Sequence, residues 1–215
     1  MSNDRWDGQE RGRPVVVGVA GGSASGKTAV VRELVRLVGE ERTAVVAHDA
    51  YYRDLSHLPL AERRRVNVDH PDSLETDLLL THLNALLAGQ PVEVPVYDYT
   101  LHVRREERVR VEPNRVVVVE GILVLAEERL RSLMDLKVYV HVEEEERLSR
   151  RLRRDVEKRG RTPESVREDH VRRVQPMHDE FVAPSRLHAD VVVEEGGYNH
   201  IAIAALVRRI RGMVE

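Results

Sequence analysis

The sequence predicts an α/β fold: a five-stranded parallel sheet with helices on both of its faces. Five short, valine-rich runs alternate along the chain with stretches whose apolar residues recur at helical spacing. The runs are almost continuously apolar, which is typical of strands buried on both faces of a parallel sheet. The predicted strands span residues 15–19, 43–47, 115–120, 136–142 and 190–193.

Length and composition indicate one domain. The chain has 215 residues and no cysteine, and this length is sufficient for one well-filled core. The lack of cysteine excludes disulfides and fits a reducing compartment, so we expect a cytoplasmic protein. Residues 1–13 are polar and carry no apolar signal-peptide core. They are predicted to form a disordered tail before a single domain at residues 14–215.

Charge and hydropathy narrow the range of partners. The formal net charge is -3 and aromatic residues make up 4% of the chain, so the sequence lacks the basic, aromatic character of a nucleic-acid binder. No apolar run approaches the roughly 20 residues of a membrane span. We therefore expect a small-molecule partner, with no nucleic acid and no membrane.

A glycine-rich stretch between the first predicted strand and helix fits the pattern G-x-x-x-x-G-K-[ST], with the strand–turn–helix context of a phosphate-binding loop. Backbone N–H groups of such a loop surround a phosphate, and the next helix adds the positive end of its dipole. Lys27 is expected to reach the β- and γ-phosphates, and Thr28 to bind Mg²⁺. This predicts a nucleoside triphosphate site in a P-loop NTPase fold. The loop residues are Gly21, Gly22, Ser23, Ala24, Ser25, Gly26, Lys27 and Thr28.

Two acidic residues lie at the ends of predicted strands. Asp49 follows the strand at 43–47, and Glu120 ends the strand at 115–120. Because the C-terminal ends of parallel strands open on the ligand crevice, a catalytic or Mg²⁺-binding carboxylate is expected at both places. Position alone leaves other interpretations open, namely a turn or capping aspartate and a solvated strand-end glutamate.

An arm and a lid are predicted outside the sheet. Residues 92–113 combine a proline-containing strand with a long charged stretch, which indicates a β-hairpin arm. Arginines recur along the helix after residue 143 and continue past Gly160. The acid-first, base-last order fits an ordinary solvated helix, but arginines beside a glycine break also suit a phosphate-closing lid at about 154–166. A helix capped by Thr162 is expected next; it should continue to about Phe181 and be interrupted or kinked near Pro176.

Six stretches together resemble one family. In order they are GGSASGKT, HDAYY, DHPDS, PVYDY followed by His102-Val103-Arg104, VVEGILVL and RRDVEKRGR. From about Pro14 to the C-terminus, their order and spacing are similar to those of the uridine kinase (uridine–cytidine kinase) family. The resemblance implies transfer of the γ-phosphoryl of ATP, or GTP, to the 5′-hydroxyl of uridine or cytidine. It also implies a Mg²⁺ cofactor and a homotetramer.

The resemblance implies roles around the donor. Asp49 would accept the proton of the 5′-hydroxyl and lie near the metal. Thr28 and Glu120 would complete the Mg²⁺ environment, partly through water. Arg154 and Arg159 match the lid arginines that embrace the phosphates.

It also implies roles around the acceptor. Asp69 would hold the ribose hydroxyls, while Tyr97 and His102 would contact the edge of the base at its 4-position. Arg151 and Arg161 match substrate-site arginines. A neutral imidazole at His102 can donate or accept a hydrogen bond, so we expect both uridine and cytidine to be substrates.

The residues implied for the acceptor have simpler interpretations from the sequence alone. His102 could be a surface histidine of the arm, and Asp69 could be a turn acid before a proline. Tyr97 and Tyr99 of PVYDY could both be packing aromatics, and for Tyr99 we favour that role.

The sequence departs from the family pattern at two places. Asp169 stands where the family usually has a glutamine that contacts substrate, and an ionised carboxylate cannot donate a hydrogen bond. The turn after the last strand reads Glu194-Glu195-Gly196-Gly197 instead of Pro-Arg-Gly-Gly, which affects the adenine side of the donor site.

Two other functions fit parts of the sequence. A related P-loop kinase for another small alcohol, such as a phosphoribulokinase-like or pantothenate kinase-like enzyme, would share the loop and its carboxylates. A nucleotide-binding regulator or a nucleic-acid-binding ATPase would use the loop together with the arginines. The guanine-reading Asn-Lys-x-Asp pattern of a GTPase switch is absent from the sequence, and the few aromatic residues do not favour an RNA binder.

Overall fold

Five parallel strands form the central sheet of the structure, a computed structural model that describes residues 12–214. The strands of the protein are β1 (Val15–Gly21), β2 (Thr43–Ala47), β3 (Val92–Asp98), β4 (Val103–Val111), β5 (Val116–Glu120), β6 (Leu136–His141) and β7 (Val191–Glu194). The parallel strands lie in the order β2-β5-β1-β6-β7, while β3 and β4 form a separate antiparallel pair. The predicted five-stranded parallel sheet is confirmed.

Helices follow the strands on both faces of the sheet. They are α1 (Lys27–Val38), α2 (Leu60–Arg63), α3 (Thr76–Leu87), α4 (Glu128–Arg131), α5 (Glu144–Arg159), α6 (Pro163–Asp169), α7 (Gln175–Met177), α8 (Ala183–Ser185) and α9 (His200–Val214). Within residues 12–214, no helix is long and apolar enough to cross a membrane. Residues 1–11 of the predicted tail lie outside the described residues, and Arg13 pairs with Asp135.

Alternate residues of the central strands face two separate cores. In β1, Val16 belongs to the core that includes α3 and α4, whereas Val17 belongs to the core that includes α1 and α9. Both valines are fully buried. Because the side chains of a strand point alternately to opposite faces, a strand buried on both faces must be apolar throughout. The continuous valine runs of the sequence have this cause.

The β3–β4 arm is fastened to the domain by Arg104. Its guanidinium donates from Nε to the carbonyl of Tyr52 at 2.8 Å and from Nη2 to the carbonyl of Tyr51 at 3.0 Å. A third bond from Nη1 reaches Glu75, just before α3, at 2.6 Å. The turn of the arm is thereby held beside the segment that follows β2.

The helix after the predicted lid continues further than the sequence indicates. Thr162 caps α6 as predicted, accepting a hydrogen bond from the N–H of Ser165 at 3.2 Å. We expected a helix to about residue 181 with a kink near Pro176, but helical structure continues to Ser185 through π-helical segments at 170–174 and 178–182. Each π segment ends two residues before a proline, where the wider turn accommodates the missing N–H donor and the ring.

Truncation of one buried side chain of α9 should destabilise the fold. Ile210 is fully buried in the α1–α9 core, so Ile210→Ala is expected to lower the free energy of unfolding by about 2–5 kcal/mol. Ile201 is 85% exposed on the same helix, and Ile201→Ala should change it by less than about 0.5 kcal/mol. Urea denaturation of both variants checks this. Equal effects would contradict the assigned face of α9.

Candidate active site

The loop between β1 and α1 adopts a backbone that requires glycine at two positions. Gly21 has φ 144°, and a Cβ there would lie 2.3 Å from the carbonyl oxygen of Val140. Gly26 has φ 92° and begins α1 as its N-cap. Ala24, between them, is also in the left-handed region with φ 63°. This local backbone turns the loop tightly onto the N-terminus of α1, which favours an anion.

Lys27 is folded back over the loop. Its Nζ donates to the carbonyl oxygens of Gly21 and Gly22, both at 2.9 Å. Burial lowers the pKa of Lys27 to about 8, against the opposing charges of Asp49 and Glu120. The charge of the buried ammonium group is therefore only partly compensated by the protein, and phosphate oxygens would stabilise it.

Strand register brings the two predicted carboxylates to the same place. Glu120 is paired with Val19 of β1 on one side and with Ala47 of β2 on the other. The Thr28 hydroxyl donates to Glu120 Oε2 at 3.1 Å, and Asp49 lies just beyond β2. All of these groups except Val19 line one cavity of about 350 Å³. Its lining residues are Ser23, Ala24, Gly26, Lys27, Thr28, Ala47, Asp49, Tyr99, Glu120, Gly121, Ile122, Arg150 and Arg154.

Both carboxylates lie in an environment that resists their ionisation. Burial raises the pKa of Asp49, although Lys27 and the arginines of α5 oppose the shift. Burial also raises the pKa of Glu120, again opposed by Lys27 and by the hydrogen bond from Thr28. Clustered carboxylate and hydroxyl oxygens are the ligands that Mg²⁺ prefers, and a divalent cation would offset the cost of ionising them.

The arm supplies two buried polar atoms without a hydrogen-bond partner, the hydroxyl of Tyr97 and Nδ1 of His102. Burial raises the pKa of Tyr97 to about 12 and lowers that of His102, so both groups are neutral near pH 7. His102 adopts φ 54° in the turn of the arm. Because buried polar atoms normally have partners, these two atoms indicate a site for a polar ligand.

A second cavity of about 360 Å³ lies beside the arm. Tyr97 lines it together with Val68 and His70, which flank the buried carboxylate of Asp69. Burial raises the pKa of Asp69, with the charge of Arg151 opposing and those of Asp169 and Asp49 reinforcing the shift. The full lining is Tyr52, Arg53, Leu55, Val66, Asn67, Val68, His70, Asp72, Ser73 and Tyr97.

The arginines predicted for the lid lie around the first cavity. Arg154 lines it directly, and the guanidinium of Arg159 lies 5.2 Å from the ring centre of Tyr99, another lining residue. Tyr99 packs edge-on against Tyr52 and Tyr97, as predicted, but it is also 42% exposed. The C-terminal end of α5 is thus in contact with the arm across the cavity.

Arg151 and Arg161 converge on Asp169. Oδ2 of Asp169 accepts from Nη2 of Arg151 at 3.0 Å and from Nη1 of Arg161 at 3.1 Å. Arg151 also donates to the Ser23 hydroxyl of the loop at 3.1 Å. The carboxylate at this position therefore orders two arginines, an arrangement that a glutamine could not reproduce with the same charge.

Sequence reasoning missed four residues of this region. Arg150, Ile122 and Tyr99 line the first cavity, and Asp155 is buried beneath the arginines. A signal existed for Arg150, since it belongs to the arginine-rich helix. For Asp155, the only signal was an acid inside a run of arginines.

Comparison with known proteins agrees with this geometry. The model of the Phosphoribulokinase / Uridine kinase family matches residues 16–202. The chain belongs to the phosphoribulokinase and uridine kinase family. It is therefore a P-loop kinase, and the α/β fold described above is that of its relatives.

Individual relatives extend over almost the whole chain. The uridine kinase of Geobacillus sp. (strain WCH70) is 51% identical over 203 residues, which cover 94% of this chain and 96% of the relative. The uridine kinase of Chloroflexus aggregans (strain MD-66 / DSM 9485) is 51% identical over 202 residues, covering 94% and 97%. D-glycerate 3-kinase from Cryptococcus neoformans var. grubii shares the fold with a TM-score of 0.60 at 20% identity, covering 84% of this chain and 82% of its own.

A histidine behind the phosphate-binding loop should make the kinase fold sensitive to acid. Burial, aided by the charge of Arg147, lowers the pKa of His178 to about 4, and its Nδ1 is buried without a partner. Between about pH 6.5 and pH 4 the unfolded chain binds a proton at this site that the folded chain does not. Stability is thus lost as the pH falls through this window. We expect His178→Gln to lose less stability between pH 7 and pH 4.5 than the parent.

The control for this prediction is His188→Gln, which changes an exposed histidine. Denaturant unfolding at each pH gives the comparison. If both substitutions change the pH dependence equally, His178 is not the acid-sensitive group.

Proposed function

We propose that this kinase transfers the γ-phosphoryl group of ATP to the 5′-hydroxyl of uridine and cytidine, giving UMP and CMP. The observation that carries the proposal is that the phosphate-binding loop, the two carboxylates at the ends of β2 and β5, and Tyr99 of the arm line one cavity. Relatives that are about half identical over nearly the whole chain bear the name uridine kinase. A cytoplasmic homotetramer is part of the same proposal.

The donor phosphates would be held by the loop from Gly21 to Thr28. Lys27, whose pKa is lowered by burial, would gain a charged partner in the β- and γ-phosphates. Arg154 and Arg159 would close from the lid, because guanidinium groups donate paired hydrogen bonds to phosphoryl oxygens. Closure would exclude water, which otherwise hydrolyses ATP.

Mg²⁺ would be held by Thr28, Asp49 and Glu120. These residues fit the ion because they present oxygen donors in one cavity, with carboxylates whose pKa is raised by burial. When bound, Mg²⁺ supplies neutralisation of the charge on the phosphates.

Asp49 would act as the general base. It would accept the proton of the 5′-hydroxyl as that oxygen forms a bond to the γ-phosphorus, while the bond to the leaving ADP oxygen breaks. Its raised pKa suits this role, because a base is most effective when its pKa lies nearer the working pH. Positioning and electrostatics would supply the remaining acceleration.

The acceptor would lie between the arm and the root of the lid. Asp69 would bind the ribose hydroxyls, and the unpartnered atoms of Tyr97 and His102 would bind the base at its 4-position. Arg151 and Arg161 would complete the site. Asp169, whose contacts are with those arginines, would influence the acceptor through them instead of through a direct bond.

A substrate panel distinguishes this proposal from its alternative. With ATP and Mg²⁺, uridine and cytidine should both be phosphorylated, because neutral His102 can donate to a 4-keto group or accept from a 4-amino group. Ribulose 5-phosphate and pantothenate should not be. Turnover only with one of the latter two would favour a phosphoribulokinase-like or pantothenate kinase-like function. An absolute preference for one pyrimidine would contradict the role of His102.

Removal of the proposed base should abolish turnover while preserving donor binding. Asp49→Asn keeps the shape of the side chain but cannot take the proton, so kcat is expected to fall by about 10²- to 10⁴-fold. The affinity for a non-hydrolysable ATP analogue, measured by calorimetry, should change little. Asp77→Asn, at a side chain that is 81% exposed, is the matched control. Retained turnover in Asp49→Asn would remove Asp49 from this role.

A further inference from the structure

Asp155 is a fully buried carboxylate that faces four guanidinium groups. Its Oδ1 accepts a hydrogen bond from Nε of Arg154 at 2.8 Å, the only close bond of the set. The other three arginines approach at 3.4–3.7 Å as ion pairs. They are Arg151, Arg159 and Arg161.

The backbone of Asp155 also stabilises the turn that ends α5. Its carbonyl oxygen accepts from the N–H groups of Gly160 and Arg161, and Gly160 ends α5 in the left-handed conformation with φ 62°. The residue therefore anchors both the arginine side chains and the turn that carries two of them.

A second carboxylate completes a closed ionic ring. Arg151 and Arg161 each lie between Asp155 and Asp169, at 3.6 and 3.0 Å for Arg151 and at 3.7 and 3.1 Å for Arg161. Two acids thus alternate with two arginines. The ring joins α5 to α6 across Gly160, and through Arg151 it reaches Ser23 of the phosphate-binding loop.

The Asp155 cluster contains more guanidinium groups than carboxylates, which leaves Arg154 and Arg159 available to a ligand. Burial alone would raise the pKa of Asp155, but the hydrogen bond from Arg154 and the charges of Arg159 and Arg151 outweigh it and hold the pKa low. Asp155 and Asp169 carry two negative charges against four guanidinium groups, and Oδ2 of Asp155 makes no hydrogen bond. Arg154 meets Asp155 through Nε and Arg159 approaches at ion-pair distance, so both retain N–H donors that can meet phosphoryl oxygens. Arg151 and Arg161 are already ordered by their hydrogen bonds to Asp169.

Fold stability alone does not explain such a group. A buried ion cluster is weak evidence for stabilisation, because desolvation offsets most of the attraction, and an apolar replacement is often as stable. By contrast, three of the four arginines reach the first cavity of the proposed kinase site. Arg154 lines it, Arg159 lies 5.2 Å from the ring centre of the lining residue Tyr99, and Arg151 donates to the lining residue Ser23.

We propose that Asp155 is a positioning residue for phosphoryl transfer, holding Arg154 and Arg159 toward the donor and Arg151 and Arg161 toward the acceptor. The inference rests on the proposed function for the identity of the acceptor. Pre-ordered guanidinium groups need no reorganisation when charge develops in the transition state. Asp155 acts through them and does not touch the substrate.

The test separates catalysis from nucleotide affinity. Asp155→Asn keeps the shape and removes the charge, and kcat should fall by about 100-fold, as for a small misplacement of catalytic groups. The affinity for Mg²⁺ and a non-hydrolysable ATP analogue should not fall, because a negative charge near the phosphates is removed. Glu157→Gln, on the exposed face of α5, is the matched control and should leave both quantities unchanged.

Two further variants keep the test decisive. Asp155→Glu keeps the negative charge but displaces the carboxylate by one methylene group, so kcat should fall by about tenfold. In an Arg154→Gln background, the fold-decrease in kcat caused by Asp155→Asn should be at least about threefold smaller than in the parent, because the two residues act together. Full kcat in Asp155→Asn or Asp155→Glu overturns the proposal. The proposal is also overturned if Asp155→Asn lowers kcat equally in both backgrounds, or if kcat, nucleotide affinity and melting temperature all fall together.

Failure of the proposed function would be recognised separately. If the parent chain hydrolyses ATP slowly but phosphorylates no nucleoside, the acceptor assignment fails. The rate of that basal hydrolysis in Asp155→Asn against Glu157→Gln then still tests the positioning role, and equal rates overturn it.

Discussion

The parallel register of β1, β2 and β5 is the constraint on which the site depends. Glu120 is paired with Val19 and with Ala47, so the end of β5 lies between the origin of the phosphate-binding loop and the turn that carries Asp49. A slip of one residue would exchange the faces of every side chain in a strand and bury polar ends in the cores. The apolar strands thus fix the relative positions of polar site residues that lie at or just beyond the strand ends.

In the arginine-rich helix α5, the buried face is charged, whereas the buried face of a helix is usually apolar. Arg147, Arg151 and Asp155 are spaced one turn apart and form the buried stripe of α5. A stripe of this kind costs desolvation energy, and the helix is retained only because ion pairs and neighbouring carbonyls compensate. The same groups therefore contribute to folding and to the site, which links the two properties in this region.

The parts of the structure that could be predicted from the sequence are those with a local physical cause. The valine runs, the glycine pattern and the Thr162 cap each act within a few residues, and the structure contains the corresponding strands, loop and helix start. The contacts of Arg159 with Tyr99 and of Arg151 with Ser23 join segments far apart in sequence, which periodicity cannot show. The π-helical turns before Pro176 and Pro184 were missed because proline was expected to interrupt the helix.

The three bonds made by Arg104 have a consequence for how the two sides of the cavity are held. They tie the arm to the carbonyls after β2 and to the residue before α3, so the arm is attached to segments of the main domain. The opposite side turns at Gly160, where a side chain would meet no atom within 4 Å. There the ring through Asp155 and Asp169 makes the attachment, so each side of the cavity is fastened by an arginine–carboxylate network of its own.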